Sequence, residues 1–260
     1  MTGVRGHDDG GSAVPETFIE YAAERPDARA TDWLRERSEP DWRAATEGRF
    51  VRELGAGELD DEVFRRYLVQ DYAFVGELAS LIGYAIGDAP TIAAKRRLTD
   101  FLGTITNEED DYFERSFDAL DVPADERRDP ELTATTRALC DLLGRASREG
   151  GYAETLAVFV PAEWVYLTWA ERVKEAPSEF YLAEWVDLHD NPEFASFVGW
   201  LREELDRELG KHRHAVSAGS TGCSGGRSNW RWRSSGRPTR GSEDRTRRFR
   251  WYWVRSNRVI

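Results

Sequence analysis

An aspartate that shares a helix face with aromatic residues is the first candidate for chemistry in this sequence. Asp71 follows Tyr67 by four residues and precedes Phe74 by three, so a helix would place the three side chains on one face. Burying a carboxylate there costs roughly several kcal/mol unless the group is hydrogen-bonded or paired. Two interpretations stay open. Asp71 bonds to a neighbouring helix, or it binds a polar ligand in an aromatic-lined pocket.

The segment VFVPAEWVYLTWA, residues 158–170, contains a second candidate pair. Glu163 and Tyr166 are three residues apart and therefore adjacent on a helix face. Pro161 lacks a backbone N–H and can bend a helix, which would open the wall of a pocket. A carboxylate beside a phenol could orient water or transfer a proton. A surface glutamate beside a core tyrosine has the same spacing, and the spacing alone favours that structural interpretation.

Residue counts argue against metal, haem and nucleotide sites. Before residue 211 the only histidines are His7 and His189, and neither follows a glutamate at the E-x-x-H spacing of di-iron proteins or suits a haem ligand. No glycine-rich phosphate-binding motif is present. Cys140 and Cys223, the only cysteines, show neither zinc-site spacing nor a disulfide framework. We therefore predict that the protein binds no metal and needs no cofactor.

Helices must position these candidates. From Leu59 to Ile86, apolar residues recur at spacings of three and four, which predicts one long helix with Asp60 as its N-cap. Strand patterns are nearly absent before residue 210. We predict a single all-α bundle of seven or eight helices. The other helices are predicted within residues 15–37 and over residues 42–54, 91–120, 133–148, 152–174, 180–188 and 193–209.

The net charge of −12 conceals two different parts. Residues 1–210 contain 23 basic and 46 acidic residues, a net charge of −23, with Lys95 and Lys174 as their only lysines. So acidic a body would repel nucleic-acid phosphates and is typical of proteins that stay soluble at high salt. We interpret the source as a salt-loving microbe.

The N-terminal residues 1–14 are rich in Gly and Asp and predict a disordered leader before the helical domain of residues 15–210. The leader has no apolar core, so it resembles neither a signal peptide nor a membrane anchor. No window reaches 18 apolar residues. These features predict a cytoplasmic protein.

Residues 211–260 differ in composition from the rest of the chain. They contain 13 basic and 2 acidic residues, no leucine and several tryptophans. One interpretation is a basic, aromatic arm that binds nucleic acid or a membrane. The other is a frameshifted translation of a GC-rich gene, or a disordered tail. We favour the frameshift, because the change is abrupt and leucine disappears.

Three motifs together resemble a known family. They are G-x-L-x-x-x-x-F-x-x-Y-x-x-Q-D at residues 57–71, VPAEWVY at residues 160–166 and YLAEWVDLHDNPEF at residues 181–194. Their order and spacing over residues 40–209 resemble the TenA/thiaminase II family. The resemblance implies a haem-oxygenase-like helical fold without haem, and hydrolysis of an aminopyrimidine or thiamin in thiamin salvage. It also suggests a homotetramer.

The resemblance assigns roles by position. Asp71 matches the aspartate that binds the pyrimidine, Phe74 an aromatic ring that stacks on it, and Tyr166 a tyrosine after the P-C-x-W-x-Y motif. His189 matches a pocket tyrosine, and Tyr67 is a further substrate-binding candidate. Glu163 and Tyr166 are the catalytic candidates.

The sequence departs from the family pattern at several positions. Ala162 occupies the position of the main branch's cysteine nucleophile, which places the chain nearer the branch without cysteine. Leu139 falls near a family tyrosine. The family's catalytic glutamate lies after residue 210, where Glu243 stands in no matching context. These departures leave an alternative open, a non-catalytic pyrimidine-binding or regulatory protein on the same scaffold.

Overall fold

A computed structural model describes the backbone of residues 14–218 and the side chains of residues 14–211. The described chain forms eleven helical segments and no strand, which agrees with the all-α prediction. Eleven is more than the seven or eight predicted, and three of the segments are shorter than eight residues. The segments are α1 (Phe18–Ala23), α2 (Ala30–Arg37), α3 (Asp41–Glu47), α4 (Arg49–Ala56), α5 (Asp61–Asp88), α6 (Ile92–Ala119), α7 (Ala124–Arg128), α8 (Ala134–Glu149), α9 (Tyr152–Ala170), α10 (Phe180–His189) and α11 (Pro192–Ala218).

Side-chain caps fix the starts of three of the longer helices. Asp60, the predicted cap of α5, accepts hydrogen bonds from the backbone N–H groups of Glu62 at 3.0 Å and Val63 at 3.3 Å. Thr91 caps α6 and Thr133 caps α8, each through its hydroxyl oxygen. These caps satisfy N–H groups that have no partner inside the helix, so the helices begin where the sequence places a capping residue.

Several boundaries differ from the prediction. The single helix predicted over residues 42–54 is two, α3 and α4, because Gly48 between them is extended, with ψ of 170°. Helix α4 ends at Ala56, and the next residue, Gly57, has a φ of +69°, the left-handed conformation that glycine adopts without strain. The predicted loop between α6 and α8 contains the short helix α7. Periodicity finds a buried face but does not mark where a helix ends.

The C-terminal ends of α9 and α11 also differ from the prediction. Helix α9 ends at Ala170 rather than at residue 174, and α11 continues past the predicted end at Leu209 to Ala218. Residues 1–13 of the predicted leader and residues 219–260 of the predicted basic tail lie outside the described residues. No described helix is both long and apolar enough to cross a membrane.

Two helices form the centre of the bundle. Helix α5 packs against α6 and α8 and also touches α9, and α9 packs against α8, α11 and α3. Both helices are therefore surrounded by others, and polar residues on their inner faces lie in the core. Helix α5 contributes Asp71, and α9 contributes Glu163 and Tyr166. The other buried residues of α5 are Phe64, Tyr67, Leu68, Val69, Phe74, Val75, Leu78, Leu81, Ile82 and Ala85.

Candidate functional site

Asp71 and Tyr166 form a hydrogen bond between the two central helices. The Tyr166 hydroxyl donates to Asp71 Oδ1 at 2.7 Å, and the Tyr67 hydroxyl donates to the Tyr166 oxygen at 3.3 Å. Asp71 is only 7% exposed. The acid therefore has the partner on a neighbouring helix that the structural interpretation predicted.

The pKa of Asp71 is raised from 3.8 to about 7. Burial is the largest cause, and the hydrogen bond from Tyr166, together with the nearby Tyr67 hydroxyl, lowers the pKa by a smaller amount. A carboxyl group with this pKa exchanges its proton near neutral pH, a property concentrated at binding and catalytic sites. The phenols supply hydrogen bonds rather than a full positive charge, so the ionised form is only partly compensated.

Glu163 is a second buried carboxyl group. It is 4% exposed, and its Oε1 has no hydrogen-bond partner within the described protein. The interpretation of Glu163 as a surface residue was therefore wrong: α9 is enclosed by helices and turns this side chain into the core. Burial first, then the charges of Glu109 and Asp71, raise the pKa of Glu163 well above its usual value. A buried carboxyl oxygen of this kind, without a partner, is available to a ligand.

Aromatic rings enclose the Tyr166 end of the site. The His189 ring stacks on the Tyr166 ring at 4.6 Å between centroids, at an angle of 22°. The Trp185 ring stands edge-on to both, with centroids 6.0 Å from Tyr166 and 4.5 Å from His189. Helix α10 thus supplies one wall of the site. The rings restrict Tyr166, so its hydroxyl stays directed at Asp71.

His189 is neutral in this position. Its Nδ1 lies 2.8 Å from the carbonyl oxygen of Trp185, and a carbonyl only accepts, so Nδ1 holds the proton of the neutral ring. Burial lowers the pKa of His189 to about 4. The residue therefore contributes a flat ring and an Nε2 lone pair to the site, without a charge.

The two remaining predicted residues also lie in the core. Tyr67 is 8% exposed and packs between the rings of Phe50, at 4.8 Å, and Trp185, at 6.0 Å. Phe74 is 5% exposed and lies one turn beyond Asp71 on α5, as its spacing predicted. The structure thus brings Asp71, Tyr67, Tyr166 and His189 together through direct contacts, and it buries Glu163 one turn before Tyr166 on α9.

Glu109 is a carboxyl group that the sequence analysis missed. It is half-buried on α6, and its pKa is raised to about 8 by burial and then by the charge of Asp71. A signal was present in the sequence. Ile105 lies four residues before Glu109, and Tyr112 and Phe113 follow by three and four, so Glu109 falls on the apolar face of its helix.

The carboxyl groups of this site are not arranged as metal ligands. Across the part of the chain with described side chains, no group of three or more His, Cys, Asp or Glu residues is placed to hold a metal ion.

Comparison with known proteins identifies the family. The model of the TENA/THI-4/PQQC family matches residues 35–218, which covers all the residues of the site. The chain belongs to this family. The match begins within α2 and ends at the last described residue of α11.

Two characterised proteins are similar to the chain in sequence. The chain is 26% identical over 179 residues to an aminopyrimidine aminohydrolase of Halalkalibacterium halodurans, an alignment that covers 67% of this chain and 80% of the relative. It is 22% identical over 181 residues to the aminopyrimidine aminohydrolase of Helicobacter pylori, covering 68% and 83%.

Solved structures of the family confirm the fold. A TenA homologue from P. horikoshii OT3 superposes with a TM-score of 0.64 at 21% identity, covering 89% of this chain and 94% of that one. A protein described as a TenA family transcription regulator from Silicibacter sp. gives a TM-score of 0.66 at 20% identity, covering 89% and 93%. The predicted all-α, haem-oxygenase-like bundle is confirmed.

Proposed function

We propose that the protein hydrolyses an aminopyrimidine, or thiamin itself, in thiamin salvage. The observation that carries the proposal is the chain of hydrogen bonds from Tyr67 through Tyr166 to Asp71, with the unpaired Glu163 three residues before Tyr166 on α9. This site combines a ligand-binding acid, a fixed phenol and a free carboxyl group. The names of both curated relatives support the same reaction.

Asp71 suits the amidine-like edge of an aminopyrimidine. One carboxyl oxygen accepts a hydrogen bond from the exocyclic amino group, and the other shares one proton with the adjacent ring nitrogen. Because the pKa of Asp71 is about 7, the acid supplies that shared proton near neutral pH. Tyr166 holds Oδ1 at 2.7 Å and so fixes the plane of the carboxyl group. In this arrangement the ring of Phe74 stacks on the pyrimidine.

Glu163 is proposed to act on the attacking water. In its ionised form it takes a proton from water while the water oxygen bonds to the exocyclic carbon of the substrate. The bond from that carbon to nitrogen breaks, and its electron pair leaves with the amine. The acid then returns the proton to the leaving nitrogen, so the products are the hydroxymethyl pyrimidine and the neutral amine. Ala162, 2% exposed, offers no thiol, and this route needs no covalent enzyme intermediate.

Steady-state hydrolysis of an aminomethylpyrimidine tests the proposal. Asp71→Asn and Glu163→Gln should each lower kcat/KM by about 100-fold or more, the usual contribution of a positioned acid or base. Two exposed acids provide matched controls. Asp61, on α5, also accepts a hydrogen bond from a tyrosine hydroxyl, so Asp61→Asn is the control for Asp71→Asn. Glu171 lies at the end of α9, so Glu171→Gln is the control for Glu163→Gln. Wild-type activity in Asp71→Asn would remove Asp71 from the mechanism.

The alternative is a non-catalytic pyrimidine-binding protein on the same scaffold. Ala162 at the position of the family cysteine, and the absence of a matching glutamate after residue 210, favour it. One experiment, which measures both pyrimidine binding and hydrolysis, distinguishes the two functions. A pyrimidine that raises the unfolding temperature of the wild type, but is not hydrolysed over many hours, supports the sensor and excludes the enzyme.

We also propose an assembly and a cellular location for the protein. The family resemblance suggests a homotetramer in the cytoplasm, and sedimentation equilibrium of the purified protein tests the tetramer. A monomer over a wide range of protein concentrations would overturn it.

A further inference from the structure

Tyr67 lies at one end of a line of two hydroxyl groups and one carboxyl group. Its hydroxyl oxygen is 3.3 Å from the Tyr166 hydroxyl oxygen, which is 2.7 Å from Asp71 Oδ1. Tyr67 and Asp71 are one turn apart on α5, and Tyr166 lies on α9. Tyr67 and Asp71 are buried, at 8% and 7% exposed. The line therefore crosses from one central helix to the other and back, inside the core.

The surroundings of Tyr67 decide in which direction these groups donate. Its ring packs against the rings of Phe50, Phe64 and Trp185, with centroids 4.8, 5.9 and 6.0 Å away. None of these three side chains accepts a hydrogen bond, since phenylalanine has no polar side-chain atom and the indole N–H only donates. The acceptor that the structure gives to the Tyr67 proton is the Tyr166 oxygen.

The direction of donation determines where Asp71 carries its own proton. Each phenol has one proton. With the Tyr67 proton directed at the Tyr166 oxygen, the Tyr166 proton is directed at Asp71 Oδ1. A further proton on Oδ1 would point at the Tyr166 proton. When Asp71 is protonated, its proton is therefore on Oδ2.

We propose, on the basis of the proposed hydrolysis, that Tyr67 is a positioning residue: acting through Tyr166, it keeps the acidic proton of Asp71 on Oδ2, where a pyrimidine ring nitrogen shares it. Oδ1 is then free to accept from the exocyclic amino group, and Tyr67 itself does not touch the ligand. Without the Tyr67 hydroxyl, the Tyr166 hydroxyl is able to turn and accept an Asp71 proton from Oδ1. Oδ2 would then face the lone pair of the ring nitrogen without a proton between them.

Calorimetric titration with two ligands tests this role. The ligands are hydroxymethyl pyrimidine and its analogue in which a C–H group replaces the ring nitrogen beside the amino group. Tyr67→Phe should weaken binding of the pyrimidine about two- to tenfold, the usual contribution of one neutral hydrogen bond, and should not weaken binding of the analogue.

Tyr72→Phe is the matched control for Tyr67→Phe. Tyr72 is also on α5, and its hydroxyl also donates to a carboxylate, that of Asp110, at 2.7 Å. The control should leave the affinities for both ligands as in the wild type. A Tyr67→Phe variant that loses affinity equally for the two ligands, or for neither, would overturn the proposal.

The ¹⁵N signal of the same ring nitrogen in the bound pyrimidine reports the shared proton without any turnover. The signal moves upfield when the nitrogen shares a proton, so it should lie further upfield in the wild type and Tyr72→Phe than in Tyr67→Phe. Replacing Tyr67 with fluorotyrosine keeps the hydroxyl and makes it a better donor, so the wild-type signal and affinity should be retained. The same signal in all these proteins would also overturn the proposal.

Binding and turnover together separate the role of Tyr67 from the proposed hydrolysis. A wild type that shows the upfield signal, lost in Tyr67→Phe, but does not hydrolyse an aminomethylpyrimidine would support Tyr67 and reject the hydrolase. An active enzyme whose pyrimidine affinity and signal are unchanged in Tyr67→Phe would reject Tyr67 alone. A wild type that does not bind the pyrimidine would reject both.

Discussion

Replacing Asp71 with asparagine should stabilise the protein, and more so at alkaline pH. The folded state raises the pKa of Asp71 from 3.8 to about 7, so it holds this proton more tightly than the unfolded chain does. Stability is therefore unaffected by this group below about pH 4 and is lost as the pH rises toward 7. Asparagine keeps an acceptor for the Tyr166 hydroxyl and has no charge to bury.

The magnitude follows from the size of the shift. Each pKa unit corresponds to about 1.4 kcal/mol, so the raised pKa of Asp71 lowers the free energy of unfolding by about 4 kcal/mol above pH 7 and by about 2 kcal/mol at pH 5. Asp71→Asn should thus gain roughly 2–3 kcal/mol more at about pH 8 than at about pH 5. For a domain of this size that is about 5–10 °C in unfolding temperature. Removing the Asp71 charge also removes its repulsion of Glu109 and Glu163, which stabilises the variant further.

Thermal unfolding of wild type and variant, followed by circular dichroism across that pH range, measures the difference. Asp61→Asn is the matched control, because Asp61 lies on the same helix and accepts the Tyr181 hydroxyl at 2.6 Å, but is exposed. The control should show the same offset at every pH. A pH-independent effect of Asp71→Asn, or a destabilisation that grows with pH, would refute the view that Asp71 is a buried acid with an uncompensated charge.

Three further predictions use other features of the molecule. His189 has a pKa lowered to about 4, so stability should fall by about 3 kcal/mol as the pH drops from 6.5 through 4, and His189→Phe should remove this acid sensitivity in unfolding curves. Tyr166→Phe removes a hydrogen bond that lowers the pKa of Asp71, so the pKa of Asp71 should rise. Calorimetric titrations with hydroxymethyl pyrimidine should then show that binding weakens only at a higher pH than in the wild type. If binding weakens at the same or a lower pH, the role given to Tyr166 is contradicted. Because residues 1–210 have a net charge of −23, the unfolding temperature should rise from low to molar potassium chloride; a flat response argues against adaptation to salt.

Local patterns in the sequence determined much of this protein. The spacing of apolar residues along α5 specified the helix and placed Asp71, Tyr67 and Phe74 on its buried face, since a helix repeats every 3.6 residues. Asp60, Thr91 and Thr133 marked helix starts because their side chains satisfy free N–H groups. The motifs at residues 57–71 and 160–166 indicated the family, which the family comparison confirmed.

Only the tertiary structure determined how far each acidic side chain is buried. Spacing makes Glu163 and Tyr166 neighbours on α9, but whether that face meets water depends on the helices packed around it, and α3, α5, α8 and α11 enclose it. The same holds for Glu109, whose pKa depends on a carboxyl group 38 positions earlier on another helix. Contacts between distant residues leave no periodic trace in the chain. For this reason the sequence indicated Asp71 as an unusual acid, and only the tertiary structure showed that Glu109 and Glu163 are also carboxyl groups with raised pKa.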